Sequence, residues 1–395
     1  MSNNFPTIGD YNQTILHNGG RSLDSLSDME FIPSRTVPIR VFLFGSGAFA
    51  AVFKGRLKNC LYAIRCFLSS ENEAIERYEF ICNYLKYLNS NWVTPCELIQ
   101  DEISVNHKWY PVLKMDWIEG SSLHKFVSNN ITRKTTLALL QHKLVELSND
   151  LESNYIGHGD LQSGNIIIVG NADNFVIKLI DYDGMYVDGI PFVKAIEKGR
   201  SEYQHPKRTL NDYDYKIDRF SIWVMITAIE ALKYDNSLWG SIVHGGGFNT
   251  DDNFLFTVND FLNPNQSKLF NRLLHLNKPS LNFYLTNLKR FCSNDISSVT
   301  SPALYDPSDD GEDEEIDFDG SGALNDLDVP YGKVRIISNV GSAAVLSTTF
   351  QRIGTTPIDL DKNIYNGKTI IVSNGRETKQ INVSQNENII EVNFA

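Results

Sequence analysis

Little in this 395-residue sequence would anchor the chain to a membrane or staple it covalently. No apolar run approaches the ~20 residues of a spanning helix, and no charged-then-apolar leader is present, so neither a membrane span nor a signal peptide is expected. Only five cysteines occur (Cys60, Cys66, Cys82, Cys96 and Cys292), an odd number without a CxxC pair. That excludes a disulfide framework or a zinc knuckle and points to reduced, mostly buried thiols in a cytoplasmic protein. An excess of basic residues is also missing. The formal charge is −12, yet Asp306 to Asp328 alone holds 11 acidic residues and no basic one, so the remainder is nearly neutral. Nucleic acid is therefore not expected as the main partner. No internal repeat stands out, and the length suits two or three domains with ample material for a packed core.

What is present is a dense set of polar residues around two short motifs. His158-Gly159-Asp160-Leu161-Gln162-Ser163-Gly164-Asn165 is followed by Lys178-Leu179-Ile180-Asp181-Tyr182-Asp183-Gly184. An Asp, an Asn five residues on, and a second Asp after a short apolar strand are the groups phosphoryl transfer needs. One carboxylate orients the attacking hydroxyl, while an amide and a second carboxylate hold Mg²⁺. Alone, Asp-x4-Asn recurs by chance.

Further signals stand upstream in the expected order. Gly45-Ser46-Gly47-Ala48-Phe49-Ala50-Ala51-Val52 reads as strand, glycine turn, strand, where glycines let backbone N–H groups approach phosphates. In Tyr62-Ala63-Ile64-Arg65-Cys66-Phe67 one cation interrupts an apolar strand. Arg65 keeps the charge of a phosphate-gripping lysine but is bulkier and planar. A helix is expected from Glu71 to about Leu88, with Ile75, Tyr78, Ile81, Cys82 and Leu85 at helical spacing. Glu76 and Glu79 lie one turn apart on it, and either is a candidate partner for Arg65. Pro111 to Gly120 reads as a strand and hinge, where adenine would meet main-chain groups near Asp116 and Ile118.

These residues together resemble bacterial protein-kinase-like domains with an HGDLQxGN catalytic loop, a DYDGM metal turn and a YQHP segment (Tyr203–Pro206). The resemblance runs from about Asp10 to Phe291. It implies an α+β, two-lobed protein-kinase-like fold with ATP and Mg²⁺ in the cleft. Asp160 would be the catalytic base, Asn165 and Asp181 the metal ligands, and Gly45, Gly47, Val52, Ala63 and Arg65 the nucleotide site. Asp218 resembles a buried helix carboxylate that steadies the catalytic loop. Departures are informative. Gly159 replaces the arginine that senses activation-loop phosphorylation, Gln162 stands where a lysine is usual, and Asp183 replaces a glycine. Between Asp181 and Pro206 the only Ser or Thr is Ser201, so phosphorylation gating is not expected.

The expected division is an N-terminal extension (1–37), an N-lobe (38–115), a C-lobe (116–293), an acidic linker (294–330) and a small all-β sandwich (331–395). The last is read from β-branched runs at Lys333–Ser338, Ala343–Thr349, Lys368–Ser373, Arg376–Val383 and Asn388–Phe394, and it weakly resembles a PEGA-type domain. Such modules position a partner protein. Within the linker, Asp306-x-Ser308-x-Asp310-Gly311 with Asp317 mimics a calcium loop, but it lacks the final Glu and puts Asp313 at an apolar position, so a solvated linker is the expected reading. Three functions compete: a Ser/Thr protein kinase, a nucleotide-sensing pseudokinase acting through the β domain, and a small-molecule kinase suggested by His158-Gly159-Asp160.

Overall fold

The computed structural model describes residues 5–35, 40–47, 49–68, 72–240, 247–250, 252–306, 333–339, 343–348, 352–356, 358–374, 377–384 and 389–394. The chain divides into two compact units, 1–311 and 312–395, and the division falls inside the stretch expected as linker. The fold is mixed α+β with several sheets.

The first unit opens with α1 (Ile8–Asn18), capped by Thr7 and Asp10 in a reciprocal capping box. Six strands then build one antiparallel sheet: β1 (Glu30–Ile32), β2 (Leu43–Ser46), β3 (Ala50–Leu57), β4 (Cys60–Phe67), β5 (Cys96–Val105) and β6 (Lys108–Asp116). The order is β1-β3-β4-β6-β5, and β2 pairs with the other half of β3's edge. Between β4 and β5 runs α2 (Asn72–Leu85), whose Tyr78, Ile81, Cys82 and Leu85 are buried, as the helical spacing of its apolar residues requires.

Alternation along the strands separates two cores. Phe53, Ile64, Cys66 and Val112 pack with Tyr11, Ile15, Leu23, Leu26 and Met29 from the N-terminal segment. Phe67, Leu113 and Met115 face the other way, into the large core that includes α2 and the helices that follow. Residues 5–35, expected as an extension, are thus part of the sheet's packing: Tyr11 is fully buried and its hydroxyl donates to the Phe67 carbonyl at 2.8 Å.

Downstream lie β7 (Ser121–Ser122), α3 (Leu123–Asn130), α4 (Lys134–Ser153), β8 (Ile156–Gly157), β9 (Ile166–Gly170), β10 (Phe175–Leu179) and β11 (Tyr186–Val187). Strands β10, β9 and β7 form one small sheet, and β8 pairs with β11. The chain continues through α5 (Arg219–Tyr234), α6 (Val258–Leu262), α7 (Lys268–His275) and α8 (Pro279–Ser293). Every residue of α5 from Phe220 to Leu232 is buried, as expected for an almost wholly apolar helix. Residues 294–306, expected as linker, are tied to this body. Arg219 donates to the Val299 carbonyl, Trp223 to that of Thr300, and the Tyr305 amide to the Tyr284 hydroxyl. The calcium-loop mimic and most of the acidic run lie outside the described residues.

The second unit contains β12 (Lys333–Ser338), β13 (Ala344–Ser347), β14 (Arg352–Thr355), β15 (Ile358–Asp361), α9 (Lys362–Tyr365), β16 (Thr369–Ser373), β17 (Thr378–Asn382) and β18 (Ile389–Val392). They form sheets of order β15-β12-β18 and β14-β13-β16-β17. Val334, Ile336, Val345, Leu360, Ile370, Val372 and Val392 make their shared core. Strands β14 and β15 and helix α9 add to the five expected runs.

Candidate active site

The 158–165 loop is built on a buried carboxylate. Asp218, one residue before α5, accepts the backbone N–H groups of His158 and Gly159, the latter at 3.0 Å. Burial raises its pKa, while His158, Arg208 and these N–H bonds pull the other way. Gly159 has φ +80°, and a Cβ there would sit 2.3 Å from the Gly184 carbonyl oxygen. Steric exclusion by the 181–184 turn therefore explains why glycine stands at 159. His158 Nε2 lies 3.0 Å from the Ile180 carbonyl, and the Ile180 amide donates to the Asn165 carbonyl at 3.0 Å. Together these contacts lock the two motifs side by side.

Asp160 is 8 % exposed and held by three donors. Oδ1 accepts the Arg200 backbone N–H at 2.7 Å; Oδ2 accepts Gln162 Nε2 at 3.0 Å and Asn165 Nδ2 at 2.9 Å. A carboxylate offers about four lone-pair positions, so one is left for an incoming hydroxyl. Asn165 Nδ2 also donates to the Asp160 carbonyl. Its nitrogen is thereby committed, leaving the amide oxygen as the group suited to a hard cation.

Asp181 adopts φ +65°, an uncommon conformation for a non-glycine residue and one that marks local backbone strain. The turn is anchored by Tyr182, fully buried, whose hydroxyl accepts the Thr94 amide at 2.9 Å and donates to the Leu179 carbonyl at 3.0 Å. Arg65 reaches the turn from β4. Its Nη1 donates to Asp181 Oδ1 at 2.5 Å and to the Tyr78 hydroxyl at 3.1 Å, and its Nη2 donates to Asp183. Burial works against charge on all three ionic groups. Arg65 nevertheless stays ionised because Tyr78, Asp183 and Asp181 surround it, and its guanidinium holds Asp181 below the usual carboxylate range. Asp183 is raised, by burial first and by the neighbouring Asp181 charge.

This geometry corrects the expected helix partner. Glu76 and Glu79 are exposed on α2, and the side chain that meets Arg65 is Tyr78. The helix presents its apolar stripe to the sheet, and Tyr78 lies on that stripe with its hydroxyl at the polar end. The sequence marked Tyr78 only as a core position. The carboxylates that balance Arg65 come instead from Asp181 and Asp183.

The other expected ligand positions fall in one row across the sheet. Gly45 lies opposite Val52, and Val52 opposite Arg65, so three neighbouring strands lead from the glycine turn to the side chain that meets Asp181 and Asp183. Ala63 shares that face and pairs with Met115, next to Asp116. Among the described residues, each glycine's chain neighbours aside, no atom lies within 4 Å of a Cβ built on Gly45 or Gly47. The Gly47 amide closes the turn on the Ala50 carbonyl at 3.0 Å. At the expected hinge, the Asp116 amide bonds the Pro95 carbonyl and the Trp117 amide the Leu61 carbonyl. A base at this position would therefore use carbonyl oxygens or the amide of Ile118.

Several site residues carried no sequence signal. A cavity of about 530 Å³ opens at Asp160, bordered by Gln162, Glu197, Gly199, Arg200 and Asp252. Gly199 has φ +72°, and a Cβ there would lie 2.7 Å from Asp160 Oδ1, so only glycine lets the chain pass close enough for the Arg200 amide to bond. Glu197 is half-buried. Burial, then the charges of Asp183, Asp160 and Asp181, raise it to about 7, with Arg65 opposing. No motif spacing ties residues 197–200 to Asp160; only the fold brings them there.

The donors fit a magnesium ion in the form that nucleotide sites take. Mg²⁺ is commonly bound through one or two carboxylates, with phosphate and water oxygens completing its shell. Asp181, 41 % exposed at its side chain, and the Asn165 amide oxygen would be the protein's share. Among the described residues no group of three or more His, Cys, Asp or Glu is arranged to hold a metal without such help. A scan against protein-family models and a search of curated proteins find no match for this chain.

Proposed function

We propose that residues 1–306 form a two-lobed, protein-kinase-like catalytic unit that transfers the γ-phosphoryl group of ATP to a Ser or Thr hydroxyl of a protein. The observation that carries this reading is Asp160, fixed by three N–H donors with one acceptor position spare, beside an Asn165 whose amide oxygen is uncommitted by those bonds. Magnesium bound with ATP would neutralise charge on the transferring phosphate. Asp160 would accept the hydroxyl proton and hold the nucleophile in line. Arg65 would meet phosphate oxygens with the N–H groups left over from Asp181, Asp183 and Tyr78, the Nε–H and one on Nη2, and the space beside Gly45 and Gly47 would admit phosphates near backbone N–H groups. The five unpaired cysteines fit a reducing compartment. The second compact unit would position a partner protein.

A second reading, a nucleotide sensor that does not turn over, draws on the Arg65–Asp181 bond, which occupies one oxygen of the metal-binding carboxylate. Purified protein with γ-labelled ATP, Mg²⁺ and a generic protein substrate separates the two. The kinase reading expects label on protein, turnover lowered roughly 10²–10⁴-fold in Asp160→Asn with ATP affinity kept, and loss of Mg²⁺-dependent nucleotide binding in Asp181→Asn. Label transfer by Asp160→Asn at the wild-type rate would end that reading. ATP raising the melting temperature without turnover would establish the sensor.

A further inference from the structure

Arg77 is among the largest fully buried side chains of the protein, only 1 % exposed, although it lies on α2 beside residues that face solvent. Each of its three guanidinium nitrogens has an acceptor. Nε and Nη2 donate to Glu73 Oε1 at 3.2 and 2.5 Å, Nη2 also donates to the Lys194 carbonyl at 2.5 Å, and Nη1 donates to the Tyr213 hydroxyl at 2.7 Å. Its flat face lies against the Phe192 ring at 4.2 Å and the Tyr213 ring at 5.0 Å. Tyr213 passes the connection on, donating to the Met185 carbonyl at 2.6 Å. One side chain thus joins α2 to both ends of the segment between the metal turn and α5.

Each end of that joint carries a site group. On α2 the next residue is Tyr78, which meets Arg65. On the segment, the Ala195 amide bonds the Leu210 carbonyl, and five residues on the Arg200 amide bonds Asp160. Four of the five guanidinium N–H groups are engaged and the side chain is buried, so Arg77 is not open to a phosphate, and the segment offers Ser201 and Thr209 as its Ser or Thr acceptors.

We propose that Arg77 is a positioning residue, a permanent bolt that holds α2 and the 185–213 segment in the arrangement the site needs, with no phosphorylation required. The catalytic part of this inference rests on the kinase reading above. Breaking the bolt should loosen both elements together, because a hydrogen bond from a charged donor lost inside the protein is worth on the order of a tenfold change in local opening.

The test is hydrogen exchange on the full chain, comparing wild type with Arg77→Gln, Arg77→Lys and Tyr213→Phe, alongside nucleotide turnover before and after phosphatase treatment. Arg77→Gln is expected to speed exchange on the order of tenfold in both 72–85 and 190–204 while leaving 219–234 unchanged. Turnover should fall with it, Arg77→Lys should restore part of both, and phosphatase should leave wild-type turnover intact. Exchange rising in α2 alone, or phosphatase abolishing turnover, would overturn the proposal. Should Arg77→Gln fail to fold, Tyr213→Phe, which removes one hydroxyl, decides the same question. A wild type that never turns over nucleotide ends the kinase reading, and the exchange pattern still decides the bolt.

Discussion

Glu197 gives the most quantitative test of the site's electrostatics. Its carboxyl ionises at about 7 in the folded protein against an ordinary 4.5, because burial and three neighbouring carboxylates disfavour a further negative charge. The folded state therefore binds the proton more tightly than the unfolded chain. Stability from this group is fully present below pH 4.5 and is lost as pH rises towards 7. At about 1.4 kcal/mol for each tenfold difference in proton affinity, the full effect is roughly 3 kcal/mol. Partial solvent access trims it to about 1–2 kcal/mol. Glu197→Gln keeps the shape and removes the titration. Thermal unfolding of both proteins in chelator, from pH 4.5 to 7.5, should show equal melting temperatures at the acid end. The variant should gain about 2–4 °C towards the alkaline end. A difference that stays flat across that range would refute the idea that the four carboxylates share one field.

Two smaller perturbations probe the scaffold around the same site. Gly159→Ala places a methyl group against the Gly184 carbonyl and forces an L-residue to φ +80°, so it should cost more than about 2 kcal/mol in denaturant unfolding and depress nucleotide turnover; wild-type stability would show that the two loops can part freely. Tyr78→Phe removes the hydroxyl that meets Arg65 and should cost about 1–2 kcal/mol, read as a shift in urea midpoint, and an unchanged midpoint would mean the bond contributes nothing.

The sequence exposed the polar core of the site because loop chemistry is local. Asp160 and Asn165 are five residues apart, and they bond each other as that spacing suggests. The carboxylate at 218 was readable only through the resemblance, which implied a buried helix carboxylate steadying the loop, and Asp218 does accept the His158 and Gly159 amides. Partnerships across long distances were not readable. Arg65 finds Asp181 and Asp183 more than a hundred residues away, and Arg200 reaches Asp160 with its backbone, which any residue type could do. On α2 the acidic residues drew attention and the tyrosine did not, because helical spacing identifies a buried face without saying which buried residue carries a polar tip. Thr7 and Asp10 already spelled a capping box, yet the polar composition around them masked the helix. In β15 only Ile358 and Leu360 among four residues are apolar, too short an alternation to separate from a turn.

The way α1 and β1 complete the sheet bears on how this protein can be divided. A chain begun near Arg40 would keep every residue of the candidate site but lose Tyr11, Ile15, Leu23, Leu26 and Met29 from one face. Phe53, Ile64 and Val112 would then meet water, and the half of β3 that β1 covers would become an open edge. Both are invitations to self-association. The candidate site and the cover over the sheet's other face are thus carried by different stretches of sequence, and residues 5–35 are the built-in shield of that apolar face.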